Sequence, residues 1–113
     1  MNYKEIISSI AQKDLKPVYF LMGDEPYYID KISEAFSKNT ILEDEQEFNQ
    51  VTLYGKDTST KEIISEAKQF PFGGEKRLVI IKEAQHLKDI DLLDSYLDHI
   101  QSTTILVICY KGK

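Results

Sequence analysis

Pro17-Val18-Tyr19-Phe20-Leu21-Met22-Gly23 is the stretch that decides the class of fold. A continuous apolar run, introduced by proline and closed by glycine, reads as a strand with apolar side chains on both faces, which belongs in the middle of a sheet. Two later runs share that character, Leu78-Val79-Ile80-Ile81 and Thr104-Ile105-Leu106-Val107-Ile108. Strands buried on both faces need helices on both sides of the sheet, and the crossovers that supply those helices make the strands mostly parallel. The expected class is α/β.

The segments between these runs carry helical patterns. Tyr3, Ile6, Ile7, Ile10 and Ala11 recur at helical spacing, with Asn2 as an N-cap. Pro26 suits the first turn of a helix whose apolar face is Tyr28, Ile29, Ile32, Ala35 and Phe36. Thr58, Ser59 and Thr60 offer N-caps for a helix carrying Ile63, Ile64 and Ala67, which should stop before Pro71 and the Gly73-Gly74 pair. Residues 88–100 put Ile90, Leu93, Tyr96, Leu97 and Ile100 on one helical face. Residues 38–46 are polar and acidic apart from Ile41 and Leu42, and Phe48, Val51 and Leu53 then mark a weaker, peripheral strand ending near Tyr54 and Gly55. No internal repeat, low-complexity tract or interior linker divides the chain. Because the sequence stops soon after its third apolar run, residues 1–113 read as one domain of a longer protein.

A chain of 113 residues, 42% of them apolar and 29% charged, has the composition of a globular domain able to bury a core without disulfides or metal. Its lone cysteine, Cys109, lies in an apolar run and reads as a small buried hydrophobe. No apolar stretch approaches the ~20 residues of a membrane span, and residues 1–13 lack the basic-then-apolar order of a secretory signal. A cytoplasmic protein without a membrane partner is expected. The net charge of −5 works against a direct grip on DNA, because Lys and Arg contacts to phosphate supply most non-specific affinity. Any link to DNA is expected to be indirect, through a partner.

A nucleotide site would follow the first strand, where a P-loop needs glycines to expose backbone amides and a lysine to meet the terminal phosphates. The segment there is Gly23-Asp24-Glu25-Pro26-Tyr27-Tyr28-Ile29-Asp30. Counted from Gly23, the second Gly, the Lys and the Ser/Thr of the motif are replaced by Tyr28, Ile29 and Asp30. Asp24 and Glu25 would repel phosphate, and Pro26 removes an amide donor. The run Leu78 to Ile81 leads into Lys82 and Glu83, so a lysine stands where a Walker B strand carries its magnesium-binding Asp. Elsewhere His86 and His99 lie far apart, one cysteine completes no zinc-ligand spacing, and no serine sits in a nucleophile-elbow pattern. The residues point to no catalytic site, no metal and no cofactor. Two alternatives are an active P-loop-type NTPase, which would bind nucleotide despite Tyr28, Ile29 and Asp30, and a stand-alone receiver-like scaffold. The receiver needs an acidic cluster at strand ends, whereas Lys82 ends the Ile81 run.

Gln69-Phe70-Pro71-Phe72-Gly73-Gly74-Glu75 is the most informative non-catalytic segment. Two aromatics flank a proline at a helix end, beside glycines that let the backbone approach another surface. Phe70 and Phe72 either cover the bottom of the sheet or form an exposed apolar plug for a partner's pocket, and composition does not choose between the two.

Lys16 to Asp30 resembles the opening of the DNA polymerase III delta subunit family, and Phe70 to Ala84 resembles that family's segment leading through its Walker-B-like strand. The spacing of the two blocks fits as well, so the resemblance covers nearly the whole chain. It implies the first, N-terminal domain of a clamp-loader subunit, with a three-layer P-loop NTPase-like (AAA+) fold, strand order 1-4-3-2 and a lost ATP site. Within the DNA polymerase III holoenzyme such a subunit is non-catalytic. Its implied partners are the sliding clamp (beta subunit), which it binds and helps to open, and the gamma/tau and delta prime subunits, reached through domains beyond this one. The resemblance places two adjacent bulky apolar residues at the clamp-binding element. Here Phe72 is followed by Gly73, so Phe70 is expected to supply the further contact, with Phe70, Pro71, Phe72 and Gly73 as the clamp-binding segment.

Overall fold

The computed structural model describes residues 3–23 and 25–112, apart from the side chain of Tyr3. The N-cap expected at Asn2, the phosphate-repelling role of Asp24 and the apolar contact of Tyr3 lie outside the described residues. The elements run α1 (Tyr3–Ala11), β1 (Val18–Gly23), α2 (Pro26–Asn39), α3 (Gln46–Asn49), β2 (Gln50–Tyr54), α4 (Thr60–Ala67), β3 (Arg77–Lys82), α5 (Leu93–Leu97) and β4 (Thr104–Lys111), with short 3-10 turns at Glu43–Glu45, Ala84–His86 and Ile90–Leu92. The strands form one 4-stranded sheet in the order β1-β4-β3-β2, and every neighbouring pair is parallel.

Alternation along the strands divides the core in two. Leu78 and Ile80 of β3, Ile105 and Val107 of β4, and Tyr19 and Leu21 of β1 face α1 and α2, where Ile6, Ile10, Ile29, Ile32 and Phe36 meet them. Val79, Ile81, Leu106 and Ile108 face the other way, against Ile63 and Ala67 of α4 and Leu93 and Tyr96 of α5. Leu78 to Ile81 are wholly removed from water, as a strand covered on both faces must be. Each such side chain contributes roughly 1.5–3 kcal/mol of burial, so the two inner strands anchor the domain.

Ala11 and Tyr28, placed on apolar helix faces by their spacing, are exposed, and the structure departs further from the sequence-based expectations at three places. The run Val18 to Met22 lies at an edge of the sheet instead of its middle, paired only with β4 among the described residues. Tyr19 and Leu21 are buried, but Phe20 and Met22 are exposed on the opposite face, where the Phe20 ring stacks on Tyr110 at 6.1 Å. Phe48 does not belong to a strand. Residues 46–49 turn into α3, whose start follows the acidic 3-10 turn Glu43–Glu45, a sign of charge suited to a helix N-terminus, and β2 begins at Gln50. Residues 88–100 are a 3-10 turn and the short α5, not one helix. Thr60 explains the late start: its Oγ1 bonds both the backbone carbonyl of Asp89 (2.8 Å) and that residue's Oδ1 (2.9 Å), which holds the chain against α4. The predicted apolar face survives, with Leu93 and Tyr96 buried and Ile90, Leu97 and Ile100 packed beside them. Of the three candidate caps before α4, Ser59 is the one used, accepting the Glu62 amide at 3.2 Å.

Phe36 has no exposed surface and its ring lies 4.8 Å from that of Tyr19, so Phe36→Ala opens a cavity that the sheet cannot fill. It should lower the unfolding free energy by about 3–5 kcal/mol in a urea titration; a loss under about 1 kcal/mol would show that this face of the core is not packed as described.

Candidate functional site

Residues 68–76, between α4 and β3, lie at the end of the sheet where the parallel strands β2, β3 and β4 begin. A helix leaves its last carbonyls without partners inside the helix, and at α4 the neighbouring elements supply them. Arg77 Nε donates to the carbonyl of Glu66 at 2.9 Å, and buried Thr104 Oγ1 donates to that of Ala67 at 2.7 Å. Gln101 Nε2 reaches the Gln69 carbonyl at 2.9 Å, and Lys76 Nζ reaches that of Ser102 at 2.7 Å. The segment is tied down where it leaves the helix and where it enters the strand.

Its middle is held by Asn49, whose side chain is fully buried. Asn49 Oδ1 accepts the Phe72 amide at 2.6 Å, and Nδ2 donates to the Phe72 carbonyl at 3.0 Å, so one side chain satisfies both backbone groups of that residue. The glycines that follow make this approach possible. Gly73 takes φ +73°, in the left-handed region, and a Cβ on Gly74 would lie 2.3 Å from Glu45 Oε1 and 2.9 Å from Asn49 Nδ2. With its backbone fixed, the segment turns its aromatic side chains outward: Phe70 is 73% exposed and Phe72 74%.

A cleft of about 350 Å³ opens at the opposite end of the sheet, lined by Asp30, Ser33, Tyr54, Lys82, Glu83, Cys109 and Lys111. Of the residues matched to nucleotide motifs, Asp30, Lys82 and Glu83 line it. β1 ends at Gly23 and α2 begins at Pro26. Ile29, at the lysine position of the motif, is 5% exposed and points into the core. Asp30, at the Ser/Thr position, pairs with Lys111 at 3.1 Å, and Tyr28 is exposed on α2. Gly23 ends β1, and Glu83 carries the chain out of β3 in the left-handed region at φ 54°. Lys82 and Lys111 are balanced in the cleft by Asp30 and Glu83. Burial pushes the Cys109 thiol up to about 11, an effect Lys82 partly opposes, so the sulfur stays protonated and a poor nucleophile near neutral pH. Among the described residues no group of three or more His, Cys, Asp or Glu is placed to hold a metal ion. None of the described helices is long and apolar enough to cross a membrane.

The family described as DNA polymerase III, delta subunit, matches residues 19–113. The chain belongs to the DNA polymerase III delta subunit family. A DNA polymerase III subunit delta from Bacillus subtilis (strain 168) is 25% identical over 114 aligned residues, spanning 92% of this chain and 33% of that protein. The solved structure of the Bacillus subtilis DNA clamp loader delta protein superposes with a TM-score of 0.85 at 24% identity, covering 98% of this chain and 36% of the other. This delta-family chain thus spans about a third of the length of these relatives, and it shares with the solved one the fold built around β1-β4-β3-β2.

Reading the delta-family sequence found Phe70 and Phe72 but not the side chains that hold them. Arg77 is 5% exposed and makes three contacts, to the Glu66 carbonyl, to the Glu66 carboxylate (2.7 Å) and to the Phe48 carbonyl (3.1 Å). Its signal was an arginine directly abutting a wholly apolar strand, where a charge must find partners or stay out of the core. Asn49 gave no local signal, since its partner lies 23 residues away. Asn49→Ala leaves both Phe72 backbone groups without that partner and should lower the unfolding free energy by about 1–3 kcal/mol in urea. An unchanged unfolding midpoint would show that the segment does not depend on Asn49.

Proposed function

We propose that this chain is the N-terminal AAA+-like domain of a clamp-loader delta subunit, which binds the sliding clamp and helps to open it without binding ATP. The observation that carries the reading is the pair of exposed phenylalanines, Phe70 and Phe72, on a backbone held by Asn49, Arg77 and Thr104. An apolar side chain kept in water on a fixed loop stands ready to bind: it gains by entering an apolar cleft and loses little freedom in doing so. With Pro71 stiffening the chain between them and Gly73 turning it, Phe70 and Phe72 form a plug for a pocket on the ring-shaped clamp. A tip that fits the clamp better when one ring interface is open shifts the ring toward the open state by that difference in affinity.

The cleft at the other end of the sheet supports the second half of the proposal. Tyr28, Ile29 and Asp30 replace the phosphate-binding residues, Lys82 replaces the metal-binding carboxylate, and the link from Gly23 to α2 is short. ATP hydrolysis then belongs to other subunits of the loader, and this subunit meets gamma/tau and delta prime through further domains. DNA is reached indirectly, through the clamp, and the work is that of cytoplasmic replication.

Phe72→Ala should weaken binding to the cognate sliding clamp by about 1–3 kcal/mol, roughly 5- to 150-fold in Kd, with little change in the unfolding midpoint. An unchanged Kd in a calorimetric titration would remove Phe72 from the site. A titration with ATP and magnesium should give no saturable heat; a saturable isotherm would favour an active NTPase instead.

A further inference from the structure

We infer that Phe48 is a second aromatic anchor of the docking tip, acting with Phe72 as one preformed pair. The inference rests on the proposed clamp-binding role of that tip. Phe48 lies 24 positions before Phe72 on a different element, yet the two ring centroids are 5.7 Å apart with their planes tilted by 48°, within the range of favourable aromatic pairs. Phe48 keeps 57% of its surface exposed, so the contact with Phe72 leaves much of both rings open to solvent on one apolar surface.

The same network holds the backbone behind both rings. Arg77 Nη1 holds the carbonyl of Phe48 at 3.1 Å, and the next residue, Asn49, holds the amide and carbonyl of Phe72. The backbones that carry the two rings are thereby held by the Arg77 and Asn49 side chains, and neither ring has to be brought to the other when a partner arrives. That lowers the ordering penalty of binding. Clustered aromatics, each supported by its neighbour, are also the arrangement in which binding energy concentrates.

The test is a double-mutant cycle in the whole chain, with the cognate sliding clamp as titrant and Kd read by calorimetry for wild type, Phe48→Ala, Phe72→Ala and the double variant. Phe48→Ala should weaken binding by on the order of 5- to 50-fold. The double variant should be weaker than either single one but by less than the product of their effects, because each substitution removes support from the other ring. Phe48→Leu, which keeps apolar bulk, should recover much of the loss, and equal urea midpoints for these variants separate docking from folding. If Phe72→Ala weakens binding while Phe48→Ala leaves Kd unchanged, or if the two effects multiply independently, the paired anchor is overturned and the clamp-binding reading stands. If Phe72→Ala leaves Kd unchanged, Phe72 is removed from the site and the pair with it; if the wild-type chain gives no saturable binding to the clamp, the clamp-binding reading itself is overturned.

Discussion

A guanidinium buried at the start of β3 is the constraint on which the tip end of the domain depends. A charge out of water is tolerated only when its donors are met, and Arg77 meets that condition by drawing together elements that are distant in sequence. The Glu66 carboxylate and carbonyl bring in the end of α4, and the Phe48 carbonyl brings in α3. The next position along the chain begins the wholly buried run Leu78 to Ile81, so the charge sits at the boundary between an apolar sheet and a polar layer that caps its lower end. Moving α3 or the end of α4 away would strand the charge. That penalty, more than the gain from any one of the bonds, keeps the arrangement in place.

The two ends of the sheet differ in chemistry. Parallel strands collect their starts at one end and their C-terminal ends at the other, and ligands in open α/β sheets ordinarily bind at the second. Here that second end offers a cleft of balanced charge, a short link from β1 to α2 and a buried, protonated Cys109. The first end instead carries backbone held by side chains and aromatic rings left in water. The sheet between them acts as a stiff frame, with Ile63 and Ala67 packing α4 onto β3 and β4 so that the segment leaving α4 starts from a fixed point.

The fold was legible because its signals are local. Leu78 to Ile81 and Ile105 to Ile108 declare buried strands by composition alone, and Ile29, Ile32 and Phe36 declare a helix face by spacing. The errors arose where tertiary contacts override local pattern. Phe20 and Met22 belong to a run that reads as central, yet β1 has a described neighbour on only one side. Phe48 looks like the start of a strand until the fully buried Asn49 requires the chain to turn there, and the Thr60 bonds to Asp89 delay the helix expected from residue 88. At the candidate site the exposed phenylalanines could be named but not assigned to inside or outside. That assignment depends on Asn49, Gly74 and Arg77 acting across tens of residues, information that no window of sequence contains.

The central claim is that the tip is preorganised: the Phe72 backbone is already held in the free protein while its ring stays in water. Amide hydrogen exchange of the unbound chain reads this directly, because the Phe72 amide donates to Asn49 Oδ1 at 2.6 Å although its side chain is exposed. The account predicts a Phe72 amide protected well beyond the rate of an unstructured peptide, with its protection lost in Asn49→Ala. Exchange of that amide at the unstructured rate in the intact protein would contradict it.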